Sequence, residues 1–332
     1  MIATLLLALA LSAQPGAAGD WVPAHSGEVV DECGPNQLCL AHELTFSPDG
    51  SRLAAAVGPM VQIFDVSTGE RMWAQSTPTR GFIPPAFVRD LVFSIDGERL
   101  YTAGDEPLIR VWSAQSGALV ETIELDRPSF ALALDPQQER FAVTTRRGAE
   151  IRDLQTGAVL AAIEERRGVT ELAFTPDGSR LVLGTLSNRA VLVDAATGAP
   201  VAELEGHRRG ADQMYARVSP AGGRVVTAGE GEEVVVWEAT DGSEVMRYAR
   251  RRDTLAGPVF SPDGAMIVVG DGRRRAVLVD AQTSAAQGEI IVEGLLAGLA
   301  WSPDGATIAV GVSDEAVVFF RRAEAQAADP AP

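Results

Sequence analysis

Phe46-Ser-Pro-Asp-Gly50 is a stretch that recurs, intact or altered, seven times in this chain of 332 residues. In each copy an apolar anchor residue precedes the turn sequence, and the seven anchors are Phe46, Phe93, Leu134, Phe174, Val218, Phe260 and Trp301. Successive anchors are 47, 41, 40, 44, 42 and 41 residues apart. Self-similarity at a period of about 40 residues indicates a propeller or a solenoid built from repeated units.

The internal order of the copies decides between these two architectures. An alternating apolar segment ends at the anchor, and Ser-Pro-Asp-Gly then suits a type I turn because Pro fixes φ at the second position. A second strand such as 180–184, a β-rich third strand such as 190–194, a Thr-Gly or Ser-Gly turn and a short fourth strand follow. Four short strands joined by turns predict an antiparallel blade. We therefore predict an all-β fold, a seven-bladed β-propeller of four-stranded antiparallel blades.

The last copy has only three strands, because its third strand at 317–320 is followed by the polar C-terminal segment. Residues 26–32 stand directly before the first copy and are predicted to supply the missing strand, so that the ring closes without unpaired sheet edges. The predicted organisation is a signal peptide at 1–18, a lead-in at 19–25, the propeller at 26–322 and a disordered tail at 323–332.

The N-terminus carries an apolar run at residues 2–13, followed by small residues up to Gly19. This pattern predicts a secretory signal, although no basic residue precedes the run. The run is shorter than the roughly 20 apolar residues that span a bilayer, so no membrane insertion is predicted. We expect a periplasmic or secreted protein whose mature chain begins between residues 14 and 19.

The chain contains two cysteines, Cys33 and Cys39, on either side of a Gly-Pro turn. In an oxidising compartment such a pair is predicted to form a disulfide, and two unpaired thiols are the alternative. A zinc site is not predicted, because no second Cys or His pair lies at ligand spacing.

The repeat resembles that of the WD40 family over about residues 26–322. The Trp-Asp dipeptide that ends the family's third strand is altered in every copy, for example to Phe64-Asp65 and Trp237-Glu238. The fourth and sixth copies are also similar to propeller repeats of bacterial surface proteins. The resemblance implies a seven-bladed propeller that binds other proteins and rarely catalyses a reaction.

In the fifth copy the resemblance also implies a buried hydrogen-bond network of His207, Thr227 and Trp237, with Glu232 where the family has Asp. Such a network holds one blade together, whereas a lone histidine could alternatively be catalytic. The sequence has no Gly-x-Ser-x-Gly, no phosphate-binding loop and no Asp-rich calcium loop. We predict no catalytic residue, no metal site and no cofactor.

Charge also excludes some partners. The formal net charge is −17, which repels nucleic acid and anionic membranes. All 28 basic residues are arginines, whose planar donor groups suit carboxylates and phosphates.

The arginine clusters fall on one predicted face of the ring. In a four-stranded meander, the turns between second and third strands and the connections between blades share one face, here called the Arg face. The turns between first and second and between third and fourth strands lie on the opposite face, here called the Asp face. The predicted binding residues of the Arg face are Arg80, Phe82, Ile83, Phe87, Arg166, Arg167, Arg208, Arg209, Arg250, Arg251, Arg252, Arg273 and Arg274.

Two alternatives stay open for this face. The arginines could be solvated loop charges partly neutralised by neighbours such as Glu164, Glu165, Asp253 and Asp271, and the long connection could fold its apolar residues inward. The predicted function is an exported, monomeric, non-enzymatic scaffold that binds a protein or peptide on the Arg face. A lactonase-like propeller enzyme, or a surface-type propeller that binds cell-envelope components, is the alternative function.

Overall fold

The computed structural model describes residues 21–29, 40–77, 86–186, 189–207, 214–229, 233–251, 256–313 and 316–323. Twenty-eight strands and no helix are present in these ranges. The predicted signal peptide, Cys33, Cys39 and almost all of the predicted tail lie outside the described residues.

The strands form seven four-stranded antiparallel sheets, which confirms the predicted seven-bladed all-β fold. We number the blades in the order of the seven anchors.
Blade one is β2 (Ala41–Phe46), β3 (Arg52–Val57), β4 (Met60–Asp65) and β5 (Arg71–Ser76); blade two is β6 (Val88–Phe93), β7 (Arg99–Gly104), β8 (Leu108–Ser113) and β9 (Leu119–Glu124); blade three is β10 (Leu132–Leu134), β11 (Arg140–Thr145), β12 (Gly148–Asp153) and β13 (Val159–Glu164).
Blade four is β14 (Val169–Phe174), β15 (Arg180–Thr185), β16 (Arg189–Asp194) and β17 (Pro200–Glu205); blade five is β18 (Met214–Val218), β19 (Arg224–Gly229), β20 (Glu233–Glu238) and β21 (Glu244–Ala249); blade six is β22 (Val259–Phe260), β23 (Met266–Gly270), β24 (Arg275–Asp280) and β25 (Ala286–Ile291).
Blade seven is β26 (Leu296–Trp301), β27 (Thr307–Val312), β28 (Ala316–Arg322) and β1 (Trp21–Glu28).

The first strand of every blade contacts the first strand of the next blade, and the first strand of blade seven contacts that of blade one. These innermost strands therefore surround a central channel.

An N-terminal strand closes the ring, as predicted, but its bounds differ from the prediction. The closing strand β1 pairs antiparallel with β28 over residues 21–28, whereas residues 26–32 were predicted. Pro23, next to a bulge in an outermost strand, occupies a place where the missing N–H is tolerated. Trp21 anchors the start of the strand by packing edge-on against Trp301, at 5.6 Å between ring centroids.

The Ser-Pro-Asp-Gly turns fold through their own side chains. In the first copy the Ser47 hydroxyl donates to Asp49 Oδ1 at 2.5 Å, and the Ser51 N–H donates to the same oxygen at 3.0 Å. The Gly50 N–H donates to the Ser47 carbonyl at 2.8 Å, and Gly50 has φ +72°, a conformation that favours glycine. Ser, Asp and Gly at fixed positions therefore favour this turn, although blade three forms it with Gln138 at positive φ and blade five with Ala221 in place of Asp.

Buried apolar side chains form seven clusters, one at each junction between neighbouring blades. Phe64, Phe141 and Phe319 are among the largest side chains that are fully buried there. Burial of one such side chain contributes about 2 kcal/mol, so the core of the molecule lies between the blades.

Side-chain donors also tie neighbouring blades together at the carbonyl of the residue after the third strand, here called the junction carbonyl. Arg140 of blade three donates to Ala195 of blade four at 3.2 Å, and Arg224 of blade five donates to Ala281 of blade six at 3.4 Å. Trp73 of blade one donates to Ala114 of blade two at 2.9 Å. Arg180 of blade four donates to Ala239 of blade five. Where blade seven meets blade one, the junction carbonyl of Val66 accepts hydrogen bonds from both His25 and Arg321.

Candidate functional site: the Arg face and the central channel

Carboxylates on the Asp face accept hydrogen bonds from residues of their own turns. The Ser47 hydroxyl holds the pKa of Asp49 down to about 2, and the Thr175 hydroxyl does the same for Asp177. In the turns between third and fourth strands, the Asp65 side chain accepts the N–H groups of Ser67 and Thr68 at 2.9 and 3.0 Å. These aspartates serve the turn geometry, as the sequence indicated.

On the Arg face, five of the predicted binding arginines have exposed side chains: Arg166, Arg167, Arg251, Arg273 and Arg274. Arg274 Nε also donates to the Val292 carbonyl at 3.2 Å. Within the described ranges, the guanidinium groups of Arg166, Arg167 and Arg251 make no hydrogen bond or ion pair, although the backbone N–H groups of Arg167 and Arg251 donate to the side chains of Glu165 and Asp271. These three guanidinium groups are therefore directed to solvent without a partner of their own.

Arg250 requires a correction. Its side chain is only 5% exposed, so it does not present a guanidinium to a partner. Instead it donates to the carbonyls of Gly229 in blade five and Gly270 in blade six. Burial lowers the pKa of Arg250 to about 10, which still leaves it charged at neutral pH. It ties two blades together where their second strands end.

Phe87 also differs from the prediction of an exposed anchor. It is half-buried, packs against the apolar cluster between blades seven and one, and lies under the guanidinium of Arg89 at 5.2 Å. The other predicted residues of this face, Arg80, Phe82, Ile83, Arg208, Arg209 and Arg252, lie outside the described residues.

Two of the neighbouring carboxylates form ion pairs with arginines outside the predicted set. Glu165 binds Arg189 at 2.8 Å, and Asp271 binds Arg275 at 2.5 Å. Both carboxylates thus pair with arginines at the start of third strands, and they also accept the backbone N–H groups of Arg167 and Arg251.

In blade five, His207, Thr227 and Trp237 lie together. Trp237 Nε1 donates to the Thr227 hydroxyl at 2.7 Å, and His207 Nε2 lies 2.7 Å from the same oxygen. Burial lowers the pKa of His207 to about 4, so the imidazole is neutral at neutral pH. Sequence reasoning missed that blade two has the same pair, in which Trp112 donates to Thr102 at 3.0 Å.

The central channel contains an ionic cluster that sequence reasoning also missed. Arg217, on the first strand of blade five, donates to Glu43 of blade one at 3.0 Å and pairs with Glu171 of blade four. Because blades one and five are not neighbours, the contact with Glu43 crosses the channel. Asp90 of blade two lies near both Glu43 and Arg217 and accepts the Leu132 N–H of blade three at 2.7 Å.

Asp90 is the most perturbed carboxylate of this cluster. Desolvation and the charge of Glu43 raise its pKa to about 7, although Arg217 and two backbone N–H groups oppose the rise. One arginine thus faces three carboxylates from three blades.

A sequence signal for this cluster exists. Glu43, Asp90 and Glu171 each stand three residues before the anchor of their blade, and Arg217 stands directly before the anchor of blade five. Equivalent positions on first strands converge on the channel, so a charge repeated there predicts a shared site.

Within the described ranges, no group of three or more His, Cys, Asp or Glu side chains has an arrangement that could hold a metal ion. The same ranges contain no helix long and apolar enough to cross a membrane.

Comparison with known proteins agrees with this architecture. A chain in a crystal structure of a mitotic checkpoint complex superposes with a TM-score of 0.77, covering 98% of this chain and 99% of that chain. The two sequences are 18% identical, so this likeness concerns the fold alone. The family model for the WD domain, G-beta repeat, matches residues 78–113, which include the first three strands of blade two. The chain is therefore similar to WD40-repeat proteins in this repeat and in its fold.

Curated proteins similar to this chain include an uncharacterized WD repeat-containing protein, sll1491, of Synechocystis sp., which is 28% identical over 43% of this chain and 40% of the relative. The WD repeat-containing protein SL1-17 of Schistosoma mansoni is 27% identical over 42% of this chain and 46% of the relative. The target of rapamycin complex subunit wat1 of Schizosaccharomyces pombe is 23% identical over 64% and 66% of the two chains. The match therefore spans less than half of the first two relatives.

Proposed function

We propose that this WD40 propeller is an exported, non-enzymatic scaffold that binds a protein partner through its Arg face. The observation that carries the proposal is the contrast between the faces. Arg166, Arg167 and Arg251 are exposed and their guanidinium groups make no hydrogen bond or ion pair within the described ranges, whereas the carboxylates of Asp49 and Asp177 on the Asp face accept hydrogen bonds within their own turns. Guanidinium groups on a rigid rim suit carboxylates on a partner surface.

WD40 propellers generally bind proteins, and two similarities fit this role. One relative is a subunit of the target of rapamycin complex, and the structural neighbour belongs to a mitotic checkpoint complex. The identity of a partner for the present chain is open, so the first step of the test is capture from an envelope extract by the immobilised mature protein.

With the captured partner in hand, the double variant Arg166→Glu/Arg167→Glu is expected to slow association about tenfold at low salt. Charges at the rim of an interface govern the rate of encounter, and reversing them replaces attraction by repulsion. The salt dependence of the association rate should flatten in the variant. Surface plasmon resonance at several salt concentrations measures both effects.

The matched control is Arg52→Glu/Arg99→Glu, which changes the net charge by the same amount on the Asp face. It is expected to change the association rate less than twofold. Equal slowing by both variants would mean that only net charge matters, and slowing by the control alone would place binding on the Asp face.

The export proposal rests on the apolar run at 2–13 and the lone cysteine pair, which lie outside the described residues. We expect secreted material to begin between residues 14 and 19 and to weigh two hydrogen atoms less than the reduced chain, because Cys33 and Cys39 are paired. Intact-mass measurement before and after reduction tests both. A retained leader or two thiols that react with iodoacetamide without prior reduction would contradict it.

A further inference from the structure

A groove of about 720 Å³ opens where blades two and three meet. One wall is the connection at 125–127, which leaves β9, and the other includes the turn at 145–147 between β11 and β12. Both segments belong to the Arg face. The volume is within the range of ordinary ligand sites, about 300–1,000 Å³.

At the groove, blade three lacks the aromatic side chain that four other blades have at the equivalent position, namely Phe64, Trp112, Trp237 and Phe320. Trp112, Trp237 and Arg152 occupy equivalent positions, since each pairs with the second residue of its blade's second strand. Both tryptophans are buried at the junction with the preceding blade. Arg152 instead binds Glu150 at 2.7 Å and Asp126 at 3.2 Å.

The same junction has fewer hydrogen bonds between blades than its neighbours. The junction carbonyls of Ala114, Ala195, Ala239 and Ala281 each accept a side-chain donor from the preceding blade. Within the described ranges, no side chain of blade two donates to the equivalent carbonyl of Leu154. The junction of blades two and three is thus held mainly by its apolar cluster.

The charge of the groove is opposite to that of the whole chain. Its lining residues include four arginines and three carboxylates, in a chain with 28 basic and 45 acidic residues. Arg152 is paired with two of these carboxylates, and Glu164 is the third. Arg127, Arg146 and Arg147 are exposed and have no side-chain hydrogen bond or ion pair within the described part of the chain.

An apolar contact point lies beside these arginines. Phe130 follows Arg127 by three residues in the same connection and is 53% exposed. Its N–H donates to the Thr144 hydroxyl at 2.9 Å, which fixes the backbone that carries the ring. An aromatic residue next to charged donors is a common composition of binding hot spots.

We propose that this groove binds an acidic segment of a partner protein, with carboxylates of the segment paired to Arg127, Arg146 and Arg147. The inference deepens the proposed function by naming the subsite and the chemistry of the partner, and it rests on that function. Carboxylates match the donor fork of arginine, and binding exchanges unpaired cations for charge-assisted hydrogen bonds.

The test uses a fluorescein-labelled decapeptide in which Glu alternates with Leu, and the same peptide with Gln in place of Glu. Fluorescence anisotropy measures both affinities for the mature protein. We expect the Glu peptide to bind at least tenfold more tightly than the Gln peptide. The variant Arg127→Gln/Arg146→Gln/Arg147→Gln is expected to weaken binding of the Glu peptide at least tenfold.

The matched control is Arg52→Gln/Arg71→Gln/Arg99→Gln, which removes the same charge from the Asp face, away from the groove, and should weaken binding less than twofold. The proposal is overturned by absence of binding, by equal binding of the two peptides, by equal losses in the two triple variants, or by displacement of the peptide by a DNA oligonucleotide at lower concentration than by unlabelled peptide.

A second variant fills the groove instead of neutralising it. Glu150→Val/Arg152→Trp introduces the residues that blade five has at the equivalent positions, Val235 and Trp237. We expect this variant to fold as a propeller and to bind the Glu peptide at least tenfold more weakly than the parent. Retained binding in this folded variant contradicts the proposed position of the segment.

Failure of this inference can be told from failure of the proposed function. If Arg166→Glu/Arg167→Glu slows association of the captured partner while the groove variants leave it unchanged, the Arg face binds but the groove does not. If neither set of variants affects association, the proposed function itself is wrong.

Discussion

A chain in which Trp21–Glu28 is replaced by eight Gly and Ser residues is expected to lose its cooperative thermal transition. The replacement removes the outer strand of blade seven, exposes the edge of β28 and removes the buried contact of Trp21 with Trp301. Blade seven is then left with three strands, and no N-terminal strand closes the ring. We expect a loss of more than about 5 kcal/mol, comparable with the whole free energy of unfolding of many domains. Circular dichroism during heating and size-exclusion chromatography measure the loss and any association through the open edge.

Point variants make the same test without removing the strand. A Cβ atom on Gly27 would lie 2.6 Å from the Gly69 carbonyl oxygen and from a ring carbon of Phe64, both in blade one. Gly27→Val should therefore destabilise the protein by about 3 kcal/mol through overpacking. Ser26→Val, one residue away on the exposed side, should stay within about 0.5 kcal/mol of the parent. Equal effects of the two variants, or a cooperative transition that survives the Gly-Ser replacement, would show that β1 does not hold the ring closed.

The blade count could be predicted because the decisive signal is local. Ser47, Asp49 and Gly50 bond to one another within a single turn, so the turn chemistry is legible without knowledge of distant contacts. The same holds for Asp65, which caps the next turn through residues two and three positions ahead. Seven local signals with regular spacing then determine the architecture.

Features that depend on distant contacts were less predictable. Arg250 belongs to an Arg-Arg-Arg sequence typical of an exposed connection, yet carbonyls from two blades bury it. The closing strand begins at Trp21, earlier than predicted, because its anchor is an aromatic contact with Trp301, 280 positions away in the sequence. The channel cluster joins Glu43 to Arg217, a contact that exists only after the ring has closed.

A single-residue effect as large as that of Gly27→Val is expected for Arg217. In Arg217→Met the carboxylates of Glu43, Asp90 and Glu171 face one another across the channel without their shared cation. Removal of one partner from a buried ion pair costs about 3–5 kcal/mol. Because these groups are partly exposed, we expect the free energy of unfolding to fall by about 3 kcal/mol. Denaturant unfolding at pH 8 measures it. Arg99→Met, which removes an exposed arginine of the Asp face, is the control and should change the free energy of unfolding by less than about 0.5 kcal/mol.

The loss in Arg217→Met is also expected to grow with pH, and Asp90 is the reason. Its pKa is raised from 3.8 to about 7 in the folded parent, so the folded state keeps a proton that the unfolded state has released, and this group lowers the stability as pH rises from about 4 to about 7. Without Arg217 the Asp90 carboxylate is still harder to ionise, which extends the decline in stability to higher pH.

His207, whose pKa is lowered to about 4, makes stability rise with pH in the same window. Because His207 is common to all the variants, its effect cancels between them. Adding Asp90→Asn to Arg217→Met should raise the free energy of unfolding relative to the single variant, and by more at pH 8 than at pH 5, because the folded single variant retains a proton that the unfolded chain releases above about pH 4. A loss in Arg217→Met that is equal at pH 5 and pH 8 would mean that Arg217 does not act through the ionisation of Asp90.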